Sequence, residues 1–194
     1  MQDTGGTAFA ESTLALRLRR EREERGWSLA DLAARAGVSR AMISRIERAE
    51  ASPTAVLLAR LAAAFGLSLS ALLARAEADA ETPALLRRRA DQPSWRDPET
   101  GYLRRAVSPE VAVPELTHVE LPPAARIAYP AAACLDVRGQ CLWVLAGRLD
   151  FTEAARTHRL EAGDCIALGR PTDRVFANAS AQVPCHYLLA VARA

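Results

Sequence analysis

Between Gly37 and Arg48 the chain reads Gly-Val-Ser-Arg-Ala-Met-Ile-Ser-Arg-Ile-Glu-Arg, residue types whose spacing suits the reading of nucleic-acid bases. Ile43 and Ile46 are three apart and Val38 stands just before them, so one side of a short helix can bury. Arg40, Ser44 and Arg45 project from the other side, and Ala41 leaves space between them. Ser39 offers an N-cap hydroxyl. Gly37 permits the positive φ that ends a preceding helix. A guanidinium can donate twice to guanine O6 and N7, which discriminates against a wrong base by about 1–3 kcal/mol. A helix with an apolar underside and Arg and Ser in its N-terminal half fits a major groove.

The other chemistry-bearing residues form no comparable constellation. Cys134, Cys141, Cys165 and Cys185 contain no Cys-x-x-Cys, which argues against zinc. Buried inert thiols are the favoured reading, with a two-thiol redox sensor as the alternative. His118, His158 and His186 have no spacing that suggests ligation.

A small helical unit must position the reading helix. A first helix runs from Thr13, with Leu14 and Leu18 on one face, and Gly26 stops it. Ser28 opens a second, with Asp31 as its capping-box partner and Leu29, Leu32 and Ala33 as its buried stripe. The Gly37–Arg48 helix is third. Ser52-Pro53-Thr54 starts a fourth, with Val56, Leu57, Leu61 and Phe65 for its core. Ser68 caps a short fifth, with Leu69, Leu72 and Leu73. Residues 1–12 read as a disordered tail, and 76–92 as a helical continuation carrying a solvated Arg87-Arg88-Arg89 run.

From Pro93 the texture changes. Prolines punctuate short β-leaning runs at 102–107, 115–121, 126–129, 141–145, 149–152, 165–168, 174–177 and 186–191. Many short strands with turn signals between them suggest a sandwich or small barrel. The expected organisation is a tail over 1–12, a helical domain over 13–75, a linker over 76–95 and a β domain over 96–194.

Charge divides along the same line. Residues 13–75 hold eleven Arg against six acids, whereas 76–194 hold fourteen Arg against fifteen acids. The basic half is therefore the half with the reading helix. No apolar run approaches the ~18 residues of a membrane span. The first residues lack a secretory signal, so the expected location is the cytoplasm, with no membrane partner.

The segment from Arg25-Gly26-Trp27-Ser28 through Gly37-Val38-Ser39 to Ile46-Glu47-Arg48 and Pro53 resembles the Cro/phage-repressor helix-turn-helix family of xenobiotic-response-element regulators. The resemblance implies a five-helix, lambda-repressor-like domain that binds double-stranded operator DNA as a homodimer. It places Ser39, Arg40, Ala41, Ser44 and Arg45 at the bases, with Ser28 and Arg48 near phosphates. Glu47 matches the family's structural Glu, which holds a neighbouring Arg or a backbone group. Ala49 departs from the Gly that many members carry after this helix.

A second stretch, Cys141–Phe151 followed by Leu160-Glu161-Ala162-Gly163-Asp164 and Arg174–Asn178, resembles a cupin, an antiparallel β-barrel of jelly-roll type. The metal-binding pattern is missing. The Glu position falls on Gln140, the later His on Arg174, and Tyr129–Ala133 holds no His. Arg has no lone pair to offer a metal. No metal, no cofactor and no enzymatic chemistry are expected. An inward Arg174 needs a partner, either an internal carboxylate or a small anionic effector. Tyr129, Gln140, Phe176 and Asn178 are the other pocket candidates. Trp143 reads either as a dimer surface or as core.

These readings combine into a two-domain transcriptional regulator, expected to be a repressor. A tethered cupin enzyme and an antitoxin-like interaction module are the rivals.

Overall fold

The computed structural model describes residues 4–77, 85–109, 111–134 and 139–192, with backbone alone for 4–11 and 77. Five helices come first: α1 (Thr4–Glu24), α2 (Leu29–Ala36), α3 (Arg40–Glu47), α4 (Ala55–Ala64) and α5 (Leu69–Glu77). α1 begins at Thr4, inside the stretch expected to be a disordered tail. Ala8, Ala10 and Glu11 are good helix formers that extend the register of the following turns and outweigh Gly5 and Gly6. The helical continuation expected over 76–92 is corrected over 85–92. α5 ends at Glu77, residues 78–84 lie outside the described residues, and Arg89–Asp91 is only a 3₁₀ turn. Arg87 donates to the Ser108 carbonyl at 2.9 Å, which ties this run to the β domain instead of to a helix.

Ten strands follow: β1 (Ser94–Arg96), β2 (Leu103–Ala106), β3 (Glu115–Leu121), β4 (Arg126–Tyr129), β5 (Gln140–Ala146), β6 (Arg148–Glu153), β7 (Arg156–Glu161), β8 (Cys165–Leu168), β9 (Arg174–Asn178) and β10 (Cys185–Val191). They pair antiparallel in two sheets, ordered β1-β2-β3-β10-β5-β8 and β4-β9-β6-β7. Inward residues alternate along each strand, as the pleat requires. Val119, Leu121, Leu142, Val144 and Tyr187 from one sheet meet Ile127, Leu149, Phe151 and Phe176 from the other. The Phe176 and Tyr187 rings stack across the gap at 5.9 Å. The architecture is the expected jelly-roll type, but its two sheets do not join into one closed ladder.

The helical unit sits on this sandwich and shares its core. α4 packs on β4 and on Ala131–Ala133, and α5 packs on β2. Polar groups fix the seam. Asp97 is buried, and its Oδ2 accepts from the Ala55 N–H at the start of α4 at 2.5 Å. Its Oδ1 accepts from the N–H groups of Glu99 and Thr100, both at 2.9 Å. The Ser70 hydroxyl of α5 pairs with that of Thr117 on β3 and accepts from Arg104 Nη2 at 2.9 Å.

Within the helical unit, the buried carboxylate of Glu21 on α1 is ringed by Arg17, Arg25 and, from α5, Arg75. Burial pushes its pKa up, but hydrogen bonds from the three guanidiniums win and bring it from an ordinary 4.5 to about 2. Because the folded value lies below the unfolded one, this clasp stabilises fully above pH 4.5 and is lost as pH falls towards 2. Glu21→Gln should therefore lower stability at neutral pH by on the order of 3 kcal/mol. In denaturant titrations, the gap between wild type and variant should close as pH falls through that window. Equal stability at neutral pH would show that the clasp contributes nothing.

Candidate nucleic-acid interface and interdomain cavity

Local chemistry builds the reading helix. Ser28 caps α2 in a reciprocal box, its Oγ accepting from the Asp31 N–H at 3.1 Å while its own N–H donates to Asp31 Oδ2 at 2.8 Å. Gly37 ends α2 at φ 63°, and Ser39 Oγ accepts from the Met42 N–H at 3.2 Å to start α3. Ile43 and Ile46 are buried, and Arg40, Ala41 and Arg45 are exposed. Arg40 and Arg45 have no hydrogen-bond or ion-pair partner among the described residues, so both guanidiniums stand ready in water. Arg48 is engaged, donating to Ser44 Oγ at 2.8 Å and to both carboxylate oxygens of Glu50 at 2.7 and 2.8 Å. That ion pair is exposed and weak, so a phosphate can displace it. Six of the seven residues singled out from sequence lie on α3 or at its ends, and the seventh, Ser28, caps its neighbour α2.

The orientation of α3 rests on Glu47. Arg22 of α1 grips both its oxygens at 2.8 and 2.7 Å and donates a third bond to the Trp27 carbonyl at 3.0 Å. Just past α3, Ala49 adopts φ 55°, a left-handed conformation that costs a Cβ-bearing residue about 1–2 kcal/mol. Ala49→Gly should therefore raise stability by about 1 kcal/mol, partly offset by the freer unfolded chain. An unchanged or lower melting temperature would show that the turn carries no such strain.

A cavity of ≈ 110 Å³ lies at one end of the sandwich, against the helical unit. Of the five pocket residues singled out from sequence, Tyr129, Gln140, Arg174 and Phe176 line it. Asn178 does not. Its Nδ2 donates to the carbonyls of Leu121, Pro122 and Val183 at 3.1, 3.0 and 2.9 Å, tying loops together elsewhere in the sandwich. Arg174 is buried and internally satisfied. Its Nε donates to Glu153 Oε1 at 2.9 Å, Nη2 to the Gly169 carbonyl at 2.7 Å and Nη1 to Gln140 Oε1 at 3.3 Å. Of the two partners open to it from sequence, an internal carboxylate, that of Glu153, pairs with its Nε.

Sequence reading missed Arg104 and the roof that Ala59, Leu67, Ser68 and Leu69 of the helical unit place over the cavity. The doublet Arg104-Arg105 carried a signal for the first. Adjacent residues of a strand face opposite sides, so one of the two must point inward.

Among the described residues, no group of three or more His, Cys, Asp or Glu could hold a metal ion. His118 and His186, unrelated in spacing, stack at 5.4 Å because β3 and β10 are neighbours. Trp143 and Leu145 lie on the outer face of the six-stranded sheet, 47% and 40% exposed, which settles Trp143 as surface. All four cysteines are free thiols. Cys185 is fully buried, which pushes its thiol up to about 11 and makes it inert at neutral pH.

Residues 18–72 match the helix-turn-helix (HTH_3) family. The HTH-type transcriptional regulator SutR of Escherichia coli (strain K12) is 42% identical over 60 residues, which are 31% of this chain and 34% of that protein. The chain thus aligns with about a third of the length of this relative. Among solved structures, an HTH_3 family transcriptional regulator from Vibrio cholerae superposes with a TM-score of 0.75 at 22% identity, covering 97% of this chain and 99% of that one. The match extends the shared fold over both units. Hydroxypropylphosphonic acid epoxidase from S. wedmorenis aligns at a TM-score of 0.46 and 18% identity, over 95% of this chain and 100% of that one. Likeness at that level says nothing about chemistry here.

Proposed function

We propose, for a chain whose residues 18–72 belong to the helix-turn-helix family, that it is a transcriptional regulator binding operator DNA as a homodimer, with repression as its mode. The observation that carries this reading is the state of α3. It is a capped helix, locked from below by Arg22 and Glu47, that presents Arg40 and Arg45 unpaired. A buried or internally paired arginine would have to be released before it could contact a base; these need no release. Arg40 and Arg45 read bases with Ala41 and Ser44 between them. Ser28, Ser39 and Arg48 set register on phosphates, which positions without specifying. The sandwich acts without catalysis, dimerising the chain and holding a small-molecule effector in the cavity, in the cytoplasm.

Dimerisation is assigned to the outer face of the six-stranded sheet. Trp143 and Leu145 on β5 are exposed there beside the half-buried Cys141 and Leu188, and an exposed apolar patch of this kind marks an association surface. Two reading helices then meet successive major grooves about 34 Å apart.

Selection of bound duplexes from a random pool tests the reading. The expected result is a palindromic consensus. Arg45→Ala should relax the base preference at one position of each half-site and weaken binding by about tenfold or more. No enrichment over random competitor would overturn the proposal. For the dimer face, the paired change Trp143→Ser, Leu145→Ser should convert the sedimenting species from dimer to monomer. A variant that remains dimeric moves the interface elsewhere.

A further inference from the structure

Two guanidiniums line the interdomain cavity, and they differ in one respect. Arg174 faces Glu153 and the pair is neutral. Arg104, on β2, is only 9% exposed and has no carboxylate within ion-pair distance among the described residues. Its Nη1 donates to the Tyr102 hydroxyl at 2.7 Å and its Nη2 to Ser70 Oγ at 2.9 Å. Its Nε is buried with no partner at all. The Tyr129 hydroxyl, also on the cavity wall, lies 3.5 Å from that of Tyr102. Neutral hydroxyls satisfy hydrogen bonds but not charge. A buried cation lacking a counter-ion is destabilising, and a protein keeps one at a defined place only against that cost.

What the cavity lacks is therefore one negative charge. We infer that it binds a small monocarboxylate with an apolar body, its anion held by Arg104. A single unpaired guanidinium balances a monoanion. A phosphate dianion would leave excess negative charge beside Glu153. The planar fork of Arg suits a carboxylate, and Leu168, Leu189, Phe176 and Leu67 give the rest of the ligand an apolar wall.

The position of the site adds a consequence. Arg104 holds Ser70 of α5, and Leu67 and Leu69 roof the cavity, so the ligand touches both units. A ligand that contacts both binds best when the helical unit is seated on the sandwich. By linkage it favours that seating, and operator binding and acid binding must influence each other equally. This part rests on the regulator reading; the binding site itself does not.

The test uses the full chain and three probes: hexanoate and phenylacetate, their uncharged amides, and inorganic phosphate. Thermal shift and calorimetry should show that at least one acid binds, while its amide and phosphate do not. Arg104→Met should fold with equal or higher intrinsic stability, since it removes an unpaired buried charge, and lose at least tenfold in affinity for the acid. If Arg104→Met fails to fold, Arg104→Lys carries the comparison. It keeps the charge without the fork, and its affinity should fall several-fold. Equal response to acid and amide, response to phosphate alone, no response to either acid, or wild-type affinity in the folded Arg104 variant would each overturn the inference. Operator selection on the same preparation separates the two claims. A chain that binds the acid but no duplex keeps the site and overturns the regulator reading.

Discussion

One buried carboxylate joins the sandwich to the start of α4. Asp97 lies in the turn between β1 and β2, and its Oδ1 organises that turn through the N–H groups of Glu99 and Thr100. Its Oδ2 reaches into the helical unit and accepts the first free N–H of α4. A helix N-terminus carries unsatisfied donors and partial positive charge, so a buried anion there is favoured twice over. Thr54 caps the same helix from within, through the Leu57 N–H at 3.4 Å, but that bond is long and leaves the Ala55 N–H to Asp97. Without a partner from the β domain, this donor would be buried and unpaired, a cost of about 1–3 kcal/mol. The α4 terminus is complete only when the sandwich is beneath it.

The interior of the sandwich shows how a fold tolerates cations. Arg174 stands where the cupin pattern would put a metal-binding His, and its guanidinium occupies the space with bonds to Glu153, Gln140 and two backbone carbonyls. Its charge is cancelled on the spot. Arg104 is handled differently, with hydroxyls and phenols around it and no anion among the described residues. Stability alone accounts for the first arrangement, because removing either member of a buried pair strands the other. It does not account for the second, since a methionine of similar length would fill the same volume without desolvating a charge.

Much of this was legible in the chain because its signals were local. Ser28 with Asp31, Gly37 with Ser39, and Pro53 before α4 are caps and stops whose partners lie within four residues, and the starts of α2, α3 and α4 followed from them, whereas that of α1 did not. Eight strands announced themselves as β-leaning runs set off by prolines and turn signals. β7 did not, because Arg156–Glu161 is an edge strand with only Leu160 buried, so its composition resembles a loop. β1 was hidden by its brevity, with a single buried Trp95 between exposed neighbours. The seam was illegible for another reason. Ser70 with Thr117, Ser68 with Glu115 and Asp97 with Ala55 are pairs distant in sequence, and no periodicity encodes them. The cavity inherits that blindness: Tyr129, Gln140, Arg174 and Phe176 of its lining followed from the cupin resemblance, and its helical roof did not.

The same contacts constrain how the molecule can transmit a signal. From the reading helix, Glu47 is held by Arg22 of α1; Glu21 of α1 is held by Arg75 of α5; Ser70 of α5 is held by Arg104 and Thr117 of the sandwich. Each link is a side chain with little freedom, and the hydrophobic core runs uninterrupted through both units. A chain of contacts is not by itself a pathway, since coupling needs an element with two arrangements. In the seated arrangement, the packed seam makes the helical unit turn with the sandwich. The spacing of two reading helices in the proposed dimer is then fixed by how two sandwiches meet. A rotation at that outer sheet face, carried through the seated units to α3, changes the distance between the two helices and so how they meet successive grooves.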